Sequence, residues 1–155
     1  MASRMCLAPM PWCAMSIPEC HPRSGAIVVG ARNAVGVPFR AQGREMGGLD
    51  CLGLVLWAAE HGGVSVRIGS QLLRGHTLSS AHDMFRAAGC LELPLADNRP
   101  GDILLGCPAT WQVHLAIRTD QGIVEACARL RRVVERPGLD VQRWRSAWRL
   151  PEGES

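Results

Sequence analysis

Three side chains in this 155-residue sequence have the types and setting for nucleophilic chemistry: Cys51, His114 and Glu125. Cys51 follows Gly48-Leu49-Asp50 and opens the apolar run Leu52-Gly53-Leu54-Val55. Asp50 is a good N-cap, because its carboxylate can accept from the exposed amides of a first helical turn. The thiol would then stand at the positive end of a helix dipole, which favours thiolate over thiol. A cysteine nucleophile also needs a base within hydrogen-bond reach and a third group to orient that base. His114 has the polar-facing parity of an alternating strand, between Val113 and Leu115. A turn at Asp120-Gln121-Gly122 brings the next strand back alongside, and Glu125 could accept from the ring nitrogen not used against the thiol. The bland readings are a buried, inert Cys, a satisfied strand His and a solvent-facing Glu.

The elements that must position these residues follow from periodicity. Apolar spacing predicts a first helix over Ser24–Val35, capped by Ser24 and ended by Gly36-Val37-Pro38. Phe39–Gly48 reads as a glycine-rich loop and Cys51–Glu60 as a helix apolar nearly all round, hence buried. Gly53 inside it implies close approach of another backbone, since Gly there costs about 1 kcal/mol against Ala. After a mixed connection, Leu78–Ala88 reads as a third helix, with Ser79 and Ser80 as caps and Met84, Ala87 and Ala88 inward. Glu92–Pro100 reads as a loop, and Asp102 as a turn residue. The period then changes to strands: Ile103–Cys107, Gln112–Arg118, Ile123–Cys127, Leu130–Glu135 and Ala147–Leu150, with a helical turn over Asp140–Arg145. Helices followed by a meander predict an α+β fold, the helices on one face of an antiparallel sheet of five or six strands.

Length allows one domain, taken as residues 23–151, with a disordered leader over 1–22 and a short tail over 152–155. All 17 basic residues are Arg, and a net charge of +3 does not by itself imply nucleic acid. No apolar run has the roughly 18 residues that suggest a membrane span. Prolines interrupt residues 1–22, so they lack the unbroken apolar core of a signal peptide. Seven cysteines, odd in number and without C-x-x-C, point to a reducing cytoplasm and predict no metal or other cofactor. Cys6, Cys13 and Cys20 beside His21 are a minor metal alternative, and Met15 an alternative start. His61, His76 and His82 read as surface or helix-end residues, and Arg129, Arg131, Arg132 and Arg136 as a solvated strand face.

Four pieces in order resemble the NlpC-type, papain-like cysteine peptidases: Val35–Arg40, Gly43 through Val55, Arg99-Pro100-Gly101-Asp102 with its strand, and the strands Val113–Ile117 and Ile123–Ala126. The resemblance implies a papain-like NlpC fold and an endopeptidase that cuts peptidoglycan stem peptides through a thioester. Cys51 resembles its nucleophile, His114 its base and Glu125 its orienting residue, with substrate contacts at Phe39, Asp50 and Leu52. Phe39 stands where Tyr is usual, Leu52 where Ser is usual, and Glu125 where His, Asn or Gln is usual, so altered specificity or weak activity is implied too. The short form resembles peptidases encoded with phage tails and gene-transfer particles. That implies synthesis in the cytoplasm, particle proteins as partners and delivery to the wall by the particle. The alternatives are an inactive adaptor of a tail tip and a cytoplasmic amidase of small wall peptides.

Overall fold

A computed structural model describes residues 21–69, 77–109 and 112–152. The leader therefore lies outside the described residues except for His21 and Pro22, and so do Cys6, Cys13, Cys20 and His76.

Helix α1 spans Pro22–Asn33. It starts at Pro22, whose fixed φ and missing N–H suit a first helical position, and Ser24 is not its cap. Val35 lies beyond the helix end and is exposed. Helix α2 spans Cys51–His61, and its N-cap Asp50 accepts from Gly53 N at 2.8 Å. It packs on α1, where the Trp57 Nε1–H donates to Gly30 O at 3.2 Å. A Cβ at Gly53 would drive into the carbonyl oxygen of Gly43, which is the close backbone approach its sequence position implied. Helix α3 spans Leu78–Ala87 and is capped by the Thr77 hydroxyl, not by Ser79 or Ser80. Ala81 and Phe85 are its buried residues; Met84 and Ala88 are partly buried against the core as expected, while Ala87 is exposed. Phe85 stacks on Trp148 at 5.3 Å.

The glycine loop carries a two-stranded ribbon, β1 (Arg44–Glu45) with β2 (Gly48–Leu49). The main sheet comprises β3 (Leu91–Leu93), β4 (Ile103–Ala109), β5 (Gln112–Arg118), β6 (Gly122–Cys127), β7 (Arg132–Pro137) and β8 (Trp144–Arg149). All its pairs are antiparallel, in the order β3-β8-β4-β5-β6-β7. The α+β architecture of the sequence reading holds. The simple meander does not, because β8 returns to lie between β3 and β4. β3 falls where a loop was expected; a three-residue edge strand with Leu91 exposed carries no alternation to read. β8 begins at Trp144 instead of Ala147, since the turn at Asp140 ends at Arg143. β7 runs from Arg132, as residues 128–131 form the turn before it.

The core fills one face of the sheet. Leu105, Leu115, Ile117, Val124 and Val133 pack there against Leu52, Leu54, Val55 and Ala58 of α2. A smaller cluster of Leu104, Ala116, Ile123, Trp144 and Ala147 covers the other face. The β5–β6 ladder holds only two pairs, Ile117↔Val124 and Arg118↔Ile123. Beyond those pairs, His114 and Glu125 meet through side chains, and a cleft opens beside them.

Candidate active site

The cleft encloses about 630 Å³ and is lined by Cys51, His114, Glu125, Phe39 and Asp50 among others. Five of the six residues singled out in the sequence therefore share one cavity. The sixth, Leu52, is fully buried in the core against the sheet and is not a cleft residue. The second residue of α2 points away from the first, so a side chain there reaches packing instead of substrate.

Cys51 opens α2 with its side chain almost covered. Burial pushes its thiol up to about 12, opposed by backbone N–H groups of Leu115, Leu52 and Cys51 itself, while the Asp50 charge adds to the rise. The helix start does favour the thiolate, as its sequence position suggested, but desolvation outweighs it. Burial thus favours the thiol over the thiolate.

Asp50 is buried and fully engaged. Its Oδ1 accepts from Gly53 N at 2.8 Å and Arg44 Nη1 at 2.6 Å, and its Oδ2 from Gln42 N at 2.8 Å. Gln42, on the cleft wall, has a left-handed φ of 59°, which is uncommon for a residue with a Cβ. The Asp50 carboxylate therefore caps the nucleophile's helix and pins the loop that forms one wall. Its oxygens have little left to offer a ligand.

His114 donates from Nε2 to Glu125 Oε2 at 2.7 Å, since an ionised carboxylate can only accept. That bond fixes the tautomer and leaves Nδ1 as the basic nitrogen. The Trp144 ring stacks beside the imidazole, centroids 5.9 Å apart at 23°. Burial alone would raise the Glu125 carboxyl. The bond from His114, the charge beside it, and Arg136 and Arg143 more than offset that and bring it to about 2. Arg136 Nε donates to Oε1 at 2.5 Å and Arg143 Nη2 to Oε2 at 3.3 Å.

Those two arginines are the site residues that the sequence reading missed. Arg136 was read with its neighbours as a solvated face. In register, Ile123 pairs with Arg136 and Glu125 with Val134, so Arg136 is the diagonal neighbour of Glu125, within reach of a long side chain. A correct register for the β6–β7 hairpin would have found it. Arg143 arrives from the turn before β8 and left no local signal.

Asp102, read as a turn residue, is buried and accepts two bonds from Arg149, each at 2.9 Å, tying the turn before β4 to β8. Among the described residues, no group of three His, Cys, Asp or Glu is placed to hold a metal ion. No described helix is long and apolar enough to cross a membrane.

No family model matches the chain. A stretch of 79 residues, 51% of this chain, is 35% identical to a protein of Mycobacterium tuberculosis named as a probable endopeptidase, and covers 17% of that protein's length. A Mycobacterium bovis protein of the same description matches equally. Among solved structures, the NlpC/p60 domain of the peptidoglycan hydrolase SagA superposes with a TM-score of 0.54 at 22% identity, covering 80% of this chain and 96% of that one. The peptidoglycan hydrolase RipB of M. tuberculosis gives 0.59 at 22% identity, over 84% of this chain and 66% of its own. RipD of the same organism, described as a non-catalytic NlpC/p60 protein adapted to peptidoglycan binding, gives 0.57 at 17% identity, over 83% and 96%. The chain has the NlpC/p60 fold.

Proposed function

We propose that this chain is an NlpC/p60-type cysteine peptidase that hydrolyses amide bonds in the stem peptides of peptidoglycan. The observation that carries the reading is the commitment of His114 Nε2 to Glu125 on the wall of the cleft that Cys51 also lines. The names of the similar proteins, endopeptidases and peptidoglycan hydrolases, support the substrate class.

In this reading a stem peptide enters the cleft and excludes water from it. Nδ1 of His114 takes the thiol proton as Sγ of Cys51 attacks the scissile carbonyl. Because burial favours the thiol, transfer in this reading accompanies attack instead of preceding it. The developing oxyanion is held by amides at the start of α2, where the first N–H groups have no intrahelical partner. Collapse of the adduct breaks the C–N bond. The imidazolium returns its proton to the leaving amine, and a thioester remains on Cys51. His114 then activates water, which releases the acid and restores the thiol. Glu125 keeps the imidazole in the useful tautomer throughout.

Incubation of the protein with purified sacculi and with free muropeptides tests this. New amino termini are expected from sacculi with the native protein and none with Cys51→Ala. Release from muropeptides alone would favour an amidase of small wall peptides. A second reading, a wall-peptide binder or tail-tip adaptor without turnover, draws on the raised Cys51 thiol and on RipD as a fold relative without catalysis. It predicts that native protein and Cys51→Ala both sediment with sacculi and neither releases amino termini. Delivery by a phage-tail-like particle remains part of the proposal, and tail genes beside this one would support it.

A further inference from the structure

Glu125 is an unusual third residue because it is a nearly fully buried carboxylate with more than one cation on it. Its side chain is 2% exposed, and its two oxygens are divided among three donors from three parts of the chain. Oε1 takes Arg136 Nε from β7 at 2.5 Å. Oε2 takes His114 Nε2 from β5 at 2.7 Å and Arg143 Nη2 from the turn before β8 at 3.3 Å. Each arginine has a second anchor. Arg136 Nη2 reaches Cys127 Sγ at 3.6 Å, and the Arg143 guanidinium lies over the Trp144 ring at 5.5 Å. Trp144 is the ring that stacks beside His114, so Arg143 braces the carboxylate and also packs on the imidazole's neighbour.

This arrangement answers a difficulty that a lone Glu would create. A buried carboxylate next to a histidine favours the imidazolium, and an imidazolium is no base. A neutral third residue avoids the difficulty because it only orients the ring. Here each guanidinium opposes positive charge on the imidazole while leaving the hydrogen bond from Nε2 intact. Pinning Oε1 also fixes the carboxyl plane, so that Oε2 has to face His114.

We propose that Arg136 and Arg143 are positioning residues that offset the charge of Glu125 at His114, so that Glu125 orients the ring with little electrostatic pull on it and leaves Nδ1 available. The catalytic meaning of the clamp rests on the peptidase reading; its electrostatics do not. The charged and titratable groups that share the cleft with His114 are Glu125 and Cys127 from β6, Arg136 from β7, Arg143 from the turn before β8 and Cys51 from α2. Asp50 and Arg129 stand elsewhere on the cleft wall, and Asp50 is neutralised by Arg44.

The test is a pH titration of the His114 imidazole by NMR in the intact chain, with ring nitrogen shifts reporting the tautomer. It compares the native protein with Arg136→Gln, Arg136→Lys and Arg143→Gln. Arg136→Gln is expected to move the titration midpoint upward by about half a pH unit, as loss of one nearby partly screened charge would. Arg136→Lys, which keeps the charge, should restore most of the midpoint, and Arg143→Gln should give a smaller upward move through its longer bond. A midpoint unchanged in both Gln variants overturns the proposal. So does an Arg136→Lys midpoint displaced as far as that of Arg136→Gln, because packing alone would then explain the effect. Should Arg136→Gln fail to fold, the Lys variant and Arg143→Gln still decide it.

Turnover on sacculi separates the two readings. Where it depends on Cys51, the acid limb of kcat/KM should follow the NMR midpoint in each variant. Midpoints that move without Cys51-dependent turnover sink the peptidase and leave the clamp. Turnover with unmoved midpoints does the reverse.

Discussion

Among the described residues, a histidine pairs with a glutamate near a residue that could act as a nucleophile in two places. On the cleft, Glu125 holds His114, and Cys51 lines the same cavity. Between α3 and the sheet, His82 Nδ1 stands 3.5 Å from Glu92 Oε1, and its Nε2 meets Ser146 Oγ at 3.2 Å. By side-chain type and distance the second set is the closer copy of a hydrolase triad. It has none of the other requirements. Ser146 is in the middle of β8, paired with Leu105, so its backbone amide belongs to a ladder and not to an open helix start. Its hydroxyl also accepts from Trp148 Nε1 at 3.0 Å, and the cleft does not reach it. The comparison shows that residue identity is the weaker half of a site. Amides at a helix start, outside any ladder, and room for a substrate are what distinguish Cys51 from Ser146.

The largest effect expected from that contrast is at Cys51. Cys51→Ala should lower release of amino termini from sacculi by at least about 10³-fold, because the covalent route is removed. Retained turnover would mean that the chemistry lies elsewhere. Glu125→Gln should follow with a loss of about 10²-fold, since an amide oxygen can still accept from His114 but leaves two guanidiniums beside a neutral group. The same residue carries a signature in stability. Its folded pKa of about 2 lies below the ordinary 4.5, so its contribution is complete above about pH 4.5 and is lost as pH falls toward 2. On the order of 2 kcal/mol is expected after allowance for solvent at the two arginines. Thermal melts of native protein and Glu125→Gln should therefore converge between pH 4.5 and 2, and parallel curves over that range would deny the depressed carboxyl.

The sulfur itself offers a third contrast, with the other thiols. Iodoacetamide should modify Cys51 no faster at pH 7 than Cys107 or Cys127, which are less covered, and its rate should climb only as pH rises well past 9. Rapid labelling near neutrality would show a preformed thiolate and restore the activation first expected from the helix start.

How much of this was legible depended on the range of the interaction. The Asp50 cap, the buried helix behind Cys51 and the hairpin that returns Glu125 to His114 are local, and the residues alone expressed them. Of the inward residues expected on α3, Met84 and Ala88 do pack against the core, but Phe85 was missed because its partner, Trp148, lies 63 residues away in the chain. The insertion of β8 beside β4 and the approach of Arg143 to Glu125 likewise join parts of the chain that no local pattern connects. Leu52 failed for another reason: on a helix apolar all round, sequence cannot say which neighbour of the nucleophile turns toward the cleft. The thiol's acidity was misjudged because dipole and desolvation oppose each other, and only burial gives the second its size.

The smallest expected effect is the most discriminating for the two histidine sites. Ser146→Ala should leave turnover on sacculi unchanged, since nothing in the cleft touches it. It should instead cost about 1–2 kcal/mol of stability, because the Trp148 indole N–H, fully buried, loses its acceptor and His82 loses one hydrogen bond to the sheet. Denaturant unfolding and the sacculus assay on one preparation measure both. Glu92 would still sit beside His82, so the ring keeps one partner and α3 stays docked through Phe85 on Trp148. A Ser146→Ala protein that is as stable as native but slower on sacculi would reverse the assignment. The His82 set would then contribute to the reaction, and the open cleft would no longer be what separates a catalytic set from a structural one.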